Sequence, residues 1–188
     1  MHKLTIEEMH RLTPEQFREV GKVPLIVVLD NVRSQHNVGA VFRTADAFRL
    51  AGVYLCGISG IPSPVEGAPL PTRAGMEEIH KTALGAEQTV DWRYFAKTED
   101  AVSSLQNDGY TVFAIEQVEG STKLQDVKLE KDGKYAIVMG HEVFGVSQKV
   151  VDMTDGCIEI PQYGTKHSLN VSVTAGIVMY TLAAQLLP

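Results

Sequence analysis

Residues 23–30 read VPLIVVLD, an unbroken apolar run that ends on an aspartate. A strand with one wet face alternates apolar and polar side chains, so a continuous run demands cover on both faces. GVYLCGI (52–58), YTVFAIEQ (110–117), YAIVMG (135–140) and GCIEI (156–160) read as further strands, with TVDW (89–92) a short one. Segments of helical period separate them. In DNVRSQHNVGAVFRTADAFRL, Val38, Val41, Phe42, Ala45 and Phe48 recur at helical spacing. TEDAVSSLQNDG, residues 146–153 and a long stretch from about Asn170 also read as helices. Strands alternating with helices predict an α/β fold with a parallel sheet in three layers. Ligands are then expected at the C-terminal ends of the strands.

Ahead of the first strand, TIEEMHRL and TPEQFREV both look helical. Thr5 with Glu8 fits a capping box, and Thr13-Pro14 fits an N-cap with proline at the first helical position. A helical extension of residues 1–22 and one domain of residues 23–188 follow as the expected organisation, since 188 residues suit a single core. Residues 59–75 hold four of the eight prolines and read as an exposed functional loop.

Composition narrows the function. No secretory leader is visible. From Asn170 onward no side chain is charged, yet Asn170, Ser172, Thr174, Thr181 and Gln185 interrupt the segment. A buried or interfacial helix is expected there rather than a membrane span. Cys56 and Cys157 stand far apart without CxxC spacing, which points to a reduced, cytoplasmic chain with both thiols buried in strands. His141 and His167 lack a third ligand at sensible spacing, so no metal site is expected. GxGxxG is missing after the first strand and GxxxxGK[ST] throughout, which argues against a nicotinamide dehydrogenase or a P-loop NTPase. With 23 acidic against 17 basic residues the formal charge is −6, so a non-specific nucleic-acid binder is disfavoured. A local basic face remains compatible with that sum.

Three segments carry candidate chemistry. In NVGAVFRT, Asn37 is a candidate N-cap, Gly39 lets backbone approach a ligand, and the Arg43 fork suits bidentate phosphate binding. The competing reading is a cap followed by a solvated arginine. In GHEVFG, Gly140 follows an apolar strand and Glu142 projects from the turn, either toward a ribose hydroxyl or an arginine, or toward a helix N-terminus. In IPQYGTKHSLNVS, Ser168 and Asn170 both fit as N-cap of the last helix. Two caps are redundant, so one is free to bind something.

Taken together, NxxxxxRTA, GxExxG and IPx(6)SLNVSVxAGI resemble the SpoU/TrmH branch of the SPOUT RNA 2′-O-methyltransferases, in order and spacing, from about Pro24 to Leu187. KTALGAE (81–87) is similar to a further family segment. The resemblance implies a C-terminal deep trefoil knot, a homodimer and S-adenosylmethionine bound in the knot. It implies Arg43 as the catalytic arginine, Asn37 as its companion, Glu142 as the motif-two glutamate, and Ser168 and Asn170 as the polar pair of motif three. Cofactor contacts are implied at Ala114, Ile115, Glu116, Met139, Gly140, Ile160, Ser168 and Leu169, largely through backbone. RNA contacts are expected from Arg11, Arg33, Arg43, Arg73 and Lys166 gathered on one dimer face. The chain resembles the catalytic domain alone, which favours tRNA over ribosomal RNA as substrate. The competing readings are a ribosomal RNA 2′-O-methyltransferase, a non-catalytic RNA-binding factor of the same fold, and a generic small-molecule binder.

Overall fold

The strands assemble as the apolar runs require. In the computed structural model, which describes residues 1–5 and 7–187, seven parallel strands form one sheet in the order β3-β2-β1-β6-β4-β7-β5. They are β1 (Val23–Asp30), β2 (Leu50–Cys56), β3 (Trp92–Phe95), β4 (Tyr110–Ile115), β5 (Thr122–Lys123), β6 (Lys134–Met139) and β7 (Gly156–Glu159). The interior strand β1 pairs on both sides, with Val27 opposite Val53 of β2 and Ile137 of β6. Its alternate residues enter two cores. Leu25, Val27 and Leu29 face one, while Ile26 and Val28 face the other. That division is why the run could carry no polar residue before Asp30.

The helices are α1 (Pro14–Glu19), α2 (Gln35–Ala47), α3 (Arg73–Ala83), α4 (Thr98–Asn107), α5 (Gln148–Val151) and α6 (Val171–Leu186). Buried residues of α1, α2, α3 and α6 join the Leu25 core, and those of α4 and α5 the Ile26 core. Helix α6 buries Val171, Ala175, Val178, Met179, Leu182 and Ala183, a stripe at i, i+4, i+7, i+8 that packs on α2 and β1. No helix among the described residues is long and apolar enough to cross a membrane.

Four sequence expectations are corrected. Residues 7–10 form a single turn, although Thr5 and Glu8 do make both capping-box bonds at 2.7 and 3.3 Å. His10 then adopts a left-handed φ of 48°, which ends the turn, and Ile6 of that segment lies outside the described residues. TVDW is not the strand: β3 starts at Trp92 and continues through Phe95. The 59–75 loop ends three residues early, because Thr72 caps Gly75 N at 3.0 Å and starts α3 at Arg73. Cys56 is fully enclosed, but Cys157 is only half-buried.

Candidate active site

The C-terminal ends of β4, β6 and β7 open into a cleft of about 720 Å³, floored by Ile115, Met139 and Ile158 and walled by the loops after those strands. Strand C-termini in a parallel sheet present backbone N–H groups and loop side chains, so a ligand site is expected there. Gly140 makes the wall possible. A Cβ at this position would collide with the backbone of Gly145 and Val146. Gly145 itself has φ +66° and lies so close to the Glu116 carboxylate that a side chain would strike it.

Residues 141–145 close into a tight loop. His141 N donates to Gly145 O at 3.1 Å and Gly145 N returns the bond to His141 O at 2.8 Å. The His141 ring turns back, with Nδ1 accepting from Val143 N at 3.0 Å and Phe144 N at 3.3 Å. Glu116 Oε2 accepts from Val146 N at 3.0 Å, which ties the loop after β4 to this one. His141 is thereby a cap for its own loop.

Glu142 reaches across to the turn before α2. Its Oε2 accepts from Arg33 N at 3.0 Å, and its Oε1 accepts from Ser34 N at 2.9 Å and Asn37 Nδ2 at 3.2 Å. Burial pushes the carboxyl upward, but the N–H bonds from Arg33, Ser34 and Asn37 outweigh it and hold Glu142 below the usual carboxylate range. The anion therefore does sit by a helix N-terminus, that of α2 rather than of its own α5. Asn37 Oδ1 in turn accepts from Asn170 Nδ2 and from Ser172 Oγ, both at 3.2 Å. Asn170 Oδ1 accepts from Ser172 N at 2.8 Å and Val173 N at 3.3 Å, so Asn170 is the N-cap of α6. One hydrogen-bonded chain, Glu142–Asn37–Asn170–Ser172, thus joins the start of α2 to two segments each more than a hundred residues further along the chain.

The candidate residues sort as follows. Ile115, Glu116, Met139, Gly140, Glu142, Ile160, Ser168, Leu169 and Asn170 all line the cleft. Ala114 does not: fully buried, it packs in the core with α4 and α5, because alternate residues of β4 face opposite sides of the sheet. Asn37 is 8% exposed and is not the cap of α2; Ser34 is, accepting from Asn37 N at 3.3 Å. Gly39 serves packing rather than ligand approach, since a Cβ there would strike Thr82 and the Ile79 carbonyl of α3. Arg43 lies six residues beyond Asn37, exposed and apart from the Asn37 chain. Arg11, Arg33, Arg73 and Lys166 are exposed too, Arg73 pairing with Glu77 at 2.8 Å. Cys157 has its thiol pushed up by burial, which makes it a poor nucleophile, and Cys56 is raised to about 12. Among the described residues no group of three metal-ligating side chains occurs.

Sequence reasoning passed over Ser172, although it stands two residues after Asn170 in the quoted motif. It also missed Gln117, whose Nε2 donates to His167 O at 3.1 Å and links two loops of the cleft, and Phe144 at the cleft mouth.

Residues 24–180 match the SpoU rRNA Methylase family. The chain belongs to this family. It is 29% identical over 178 residues to the tRNA (guanosine(18)-2′-O)-methyltransferase of Thermus thermophilus, covering 95% of this chain and 84% of that one. It is 33% identical over 162 residues to the 23S rRNA (guanosine-2′-O-)-methyltransferase RlmB of Burkholderia sp, covering 86% and 60%. Among solved structures, the AdoMet-bound rRNA methyltransferase from Sinorhizobium meliloti is similar with TM-score 0.73 and 25% identity, over 95% of this chain and 62% of that one.

Proposed function

We propose that this member of the family methylates tRNA through Arg43, Asn37, Glu142, Ser168 and Asn170, beside a cofactor held in the cleft. The chain is an S-adenosylmethionine-dependent RNA 2′-O-ribose methyltransferase. The observation that carries the residue assignment is the Glu142–Asn37–Asn170 chain, which fixes α2, and with it Arg43, relative to the cleft. The choice of tRNA rests on extent of similarity. The tRNA-named relative aligns along 84% of its length, and the rRNA-named one along 60%.

The cleft suits the cofactor. Its roughly 720 Å³ falls in the usual range for small-molecule sites. Ile115, Met139, Ile160 and Leu169 offer apolar contact, Ser168 offers a hydroxyl, and Gly140 keeps the wall clear of a side chain. S-adenosylmethionine held there would supply a sulfonium methyl group, which the ribose 2′-oxygen would take as the thioether leaves and the hydroxyl proton passes to solvent. The chain's own part is to present the ribose. Arginine stays protonated at working pH, so Arg43 aligns the 2′-hydroxyl with the neighbouring phosphate and stabilises the charge that develops on oxygen. Glu142 is committed to the Arg33 and Ser34 N–H groups and acts as a positioning residue for α2.

The same reading extends to the whole molecule. Residues 1–22 are an extension on a catalytic domain of residues 23–188. The segment between β7 and α6 threads a trefoil knot, consistent with a strand lying beyond β4 and a helix that returns to β1. A cytoplasmic homodimer forms through the exposed face of α6, where Val173, Ile177 and Tyr180 make an apolar stripe. Arg11, Arg33, Arg43, Arg73 and Lys166 supply the RNA contacts.

The test is methyl transfer from radiolabelled S-adenosylmethionine to tRNA and to ribosomal RNA from cells lacking this protein. Label in alkali-resistant dinucleotides of tRNA supports the proposal. Label on ribosomal RNA alone overturns the substrate choice.

A further inference from the structure

The cleft mouth carries an aromatic ring that the chemistry above does not use. Phe144 is 83% exposed, beside an exposed Val143, yet both line the same cleft as Glu142 and Asn170. Val143 and Phe144 form an adjacent exposed apolar pair at the rim of a cleft, a setting in which exposed apolar surface marks a contact site. This loop is rigid by construction. The N–H groups of residues 141, 143, 144, 145 and 146 are all consumed by the loop itself or by Glu116. The His141 ring supports Phe144 from one side, with centroids 4.9 Å apart and planes at 32°. Few backbone N–H donors are left to offer a ligand at this tip, so the exposed ring of Phe144 is its largest contact surface.

The loop is also tied to an arginine-bearing turn. Glu142, between His141 and Phe144, holds the backbone of Arg33, whose side chain is exposed. An exposed ring at the cleft mouth and an exposed arginine in the turn tethered to the same loop match the two chemistries of a nucleotide, a flat π-face and a phosphate. We propose that Phe144 is a stacking platform for an unpaired nucleobase of the RNA at the acceptor site, with Arg33 on its phosphate. The proposal rests on the RNA-methyltransferase reading above. A nucleotide drawn from its helix toward a cleft loses its stacking neighbours, and Phe144 replaces one of them. The platform is tolerant of base identity, because every base has a π-face.

The test compares Phe144→Ala, Phe144→Leu and Phe144→Trp using tRNA from cells lacking this protein. Phe144→Ala is expected to raise KM for tRNA between roughly fivefold and a hundredfold, the loss of one base–aromatic stack. Phe144→Trp restores it and Phe144→Leu, apolar without a π-face, does not. The affinity for S-adenosylmethionine, read by calorimetry, stays within about twofold of wild type. Arg33→Gln flattens the salt dependence of tRNA binding by about one phosphate contact, and Phe144→Ala leaves that slope in place. Rescue by Leu as complete as by Trp overturns the proposal, as does weakened cofactor binding, which would make Phe144 a cover for the cofactor. Dissociation of an oligomer by Phe144→Ala, seen in sedimentation, would make it a protein interface instead. A wild-type protein that transfers methyl to neither RNA defeats the underlying reading. Full wild-type activity with an unchanged KM in Phe144→Ala defeats this proposal alone.

Discussion

In the proposed reaction Arg43 and Glu142 divide the labour. Arg43 has a free guanidinium at an exposed helix position, while Glu142 spends its carboxylate on the N–H groups of Arg33 and Ser34. Arg43→Ala should lower methyl transfer by roughly 10²–10³-fold, the usual loss for one group that stabilises developing charge. Cofactor affinity, measured by calorimetry, should stay near wild type because the cleft residues lie on other loops. Glu142→Gln should destabilise the fold by about 1–3 kcal/mol, since one carboxylate oxygen becomes an NH2 that cannot accept from its N–H partner and the remaining bond loses its charge. Its pH dependence has a definite sign. A carboxyl held low in the folded state contributes stability above its unfolded value near 4.5 and loses it as pH falls through the folded value. Urea titrations from pH 6 down to 3 should show a shallower acid limb for Glu142→Gln than for wild type. An identical limb in both proteins would mean that the tether contributes nothing to stability.

At the scale of elements, the decisive contacts are between helices and loops remote in sequence. Helix α2 is placed from three directions: by Glu142 at its start, by Asn170 and Ser172 of α6 along its first turn, and by α3 against Gly39. Gly39→Ala would force α2 and α3 apart, because the clash is with the Ile79 carbonyl and not only with the Thr82 side chain. Overpacking of this kind costs about 1–3 kcal/mol. Denaturant midpoints should fall accordingly, and transfer should fall further than stability because α2 carries Arg43. A Gly39→Ala protein with wild-type activity would show that the α2 position is not critical.

For the molecule as a whole, the acidic balance and the apolar stripe of α6 pull toward different partners. The formal charge of −6 leaves RNA affinity to a few exposed arginines and lysines, so binding should weaken steeply with salt. The stripe of Val173, Ile177 and Tyr180, with Tyr180 63% exposed and 5.8 Å from the Phe48 ring, stays open to solvent among the described residues. Tyr180→Asp should convert a dimer to monomer in sedimentation equilibrium while leaving the monomer folded, as the side chain lies outside the core. A wild-type protein that sediments as a monomer at micromolar concentration removes the dimer proposal.

The sequence by itself determined the inner strands and most of the helices, while β5 and α3 went unread and β3 was placed too early. VPLIVVLD predicted β1 to the residue, and the polar-interrupted stretch after Asn170 predicted α6, because burial on two faces and a 3.6-residue stripe are written in local spacing. It also named Gly140, Glu142, Ser168 and Asn170 at the cleft and Asn37 behind them, through motifs that are each short and contiguous. It misread Asn37 as a cap and Gly39 as a ligand contact, and it passed over Phe144. Those assignments depend on which distant element packs against each position, α3 on Gly39 and residue 142 on the turn before α2. Tertiary structure alone decided that Glu142 would serve the helix carrying Arg43 and not its own, since a carboxylate's partner is set by what folding brings within 3 Å. No spacing within one segment encodes that distance.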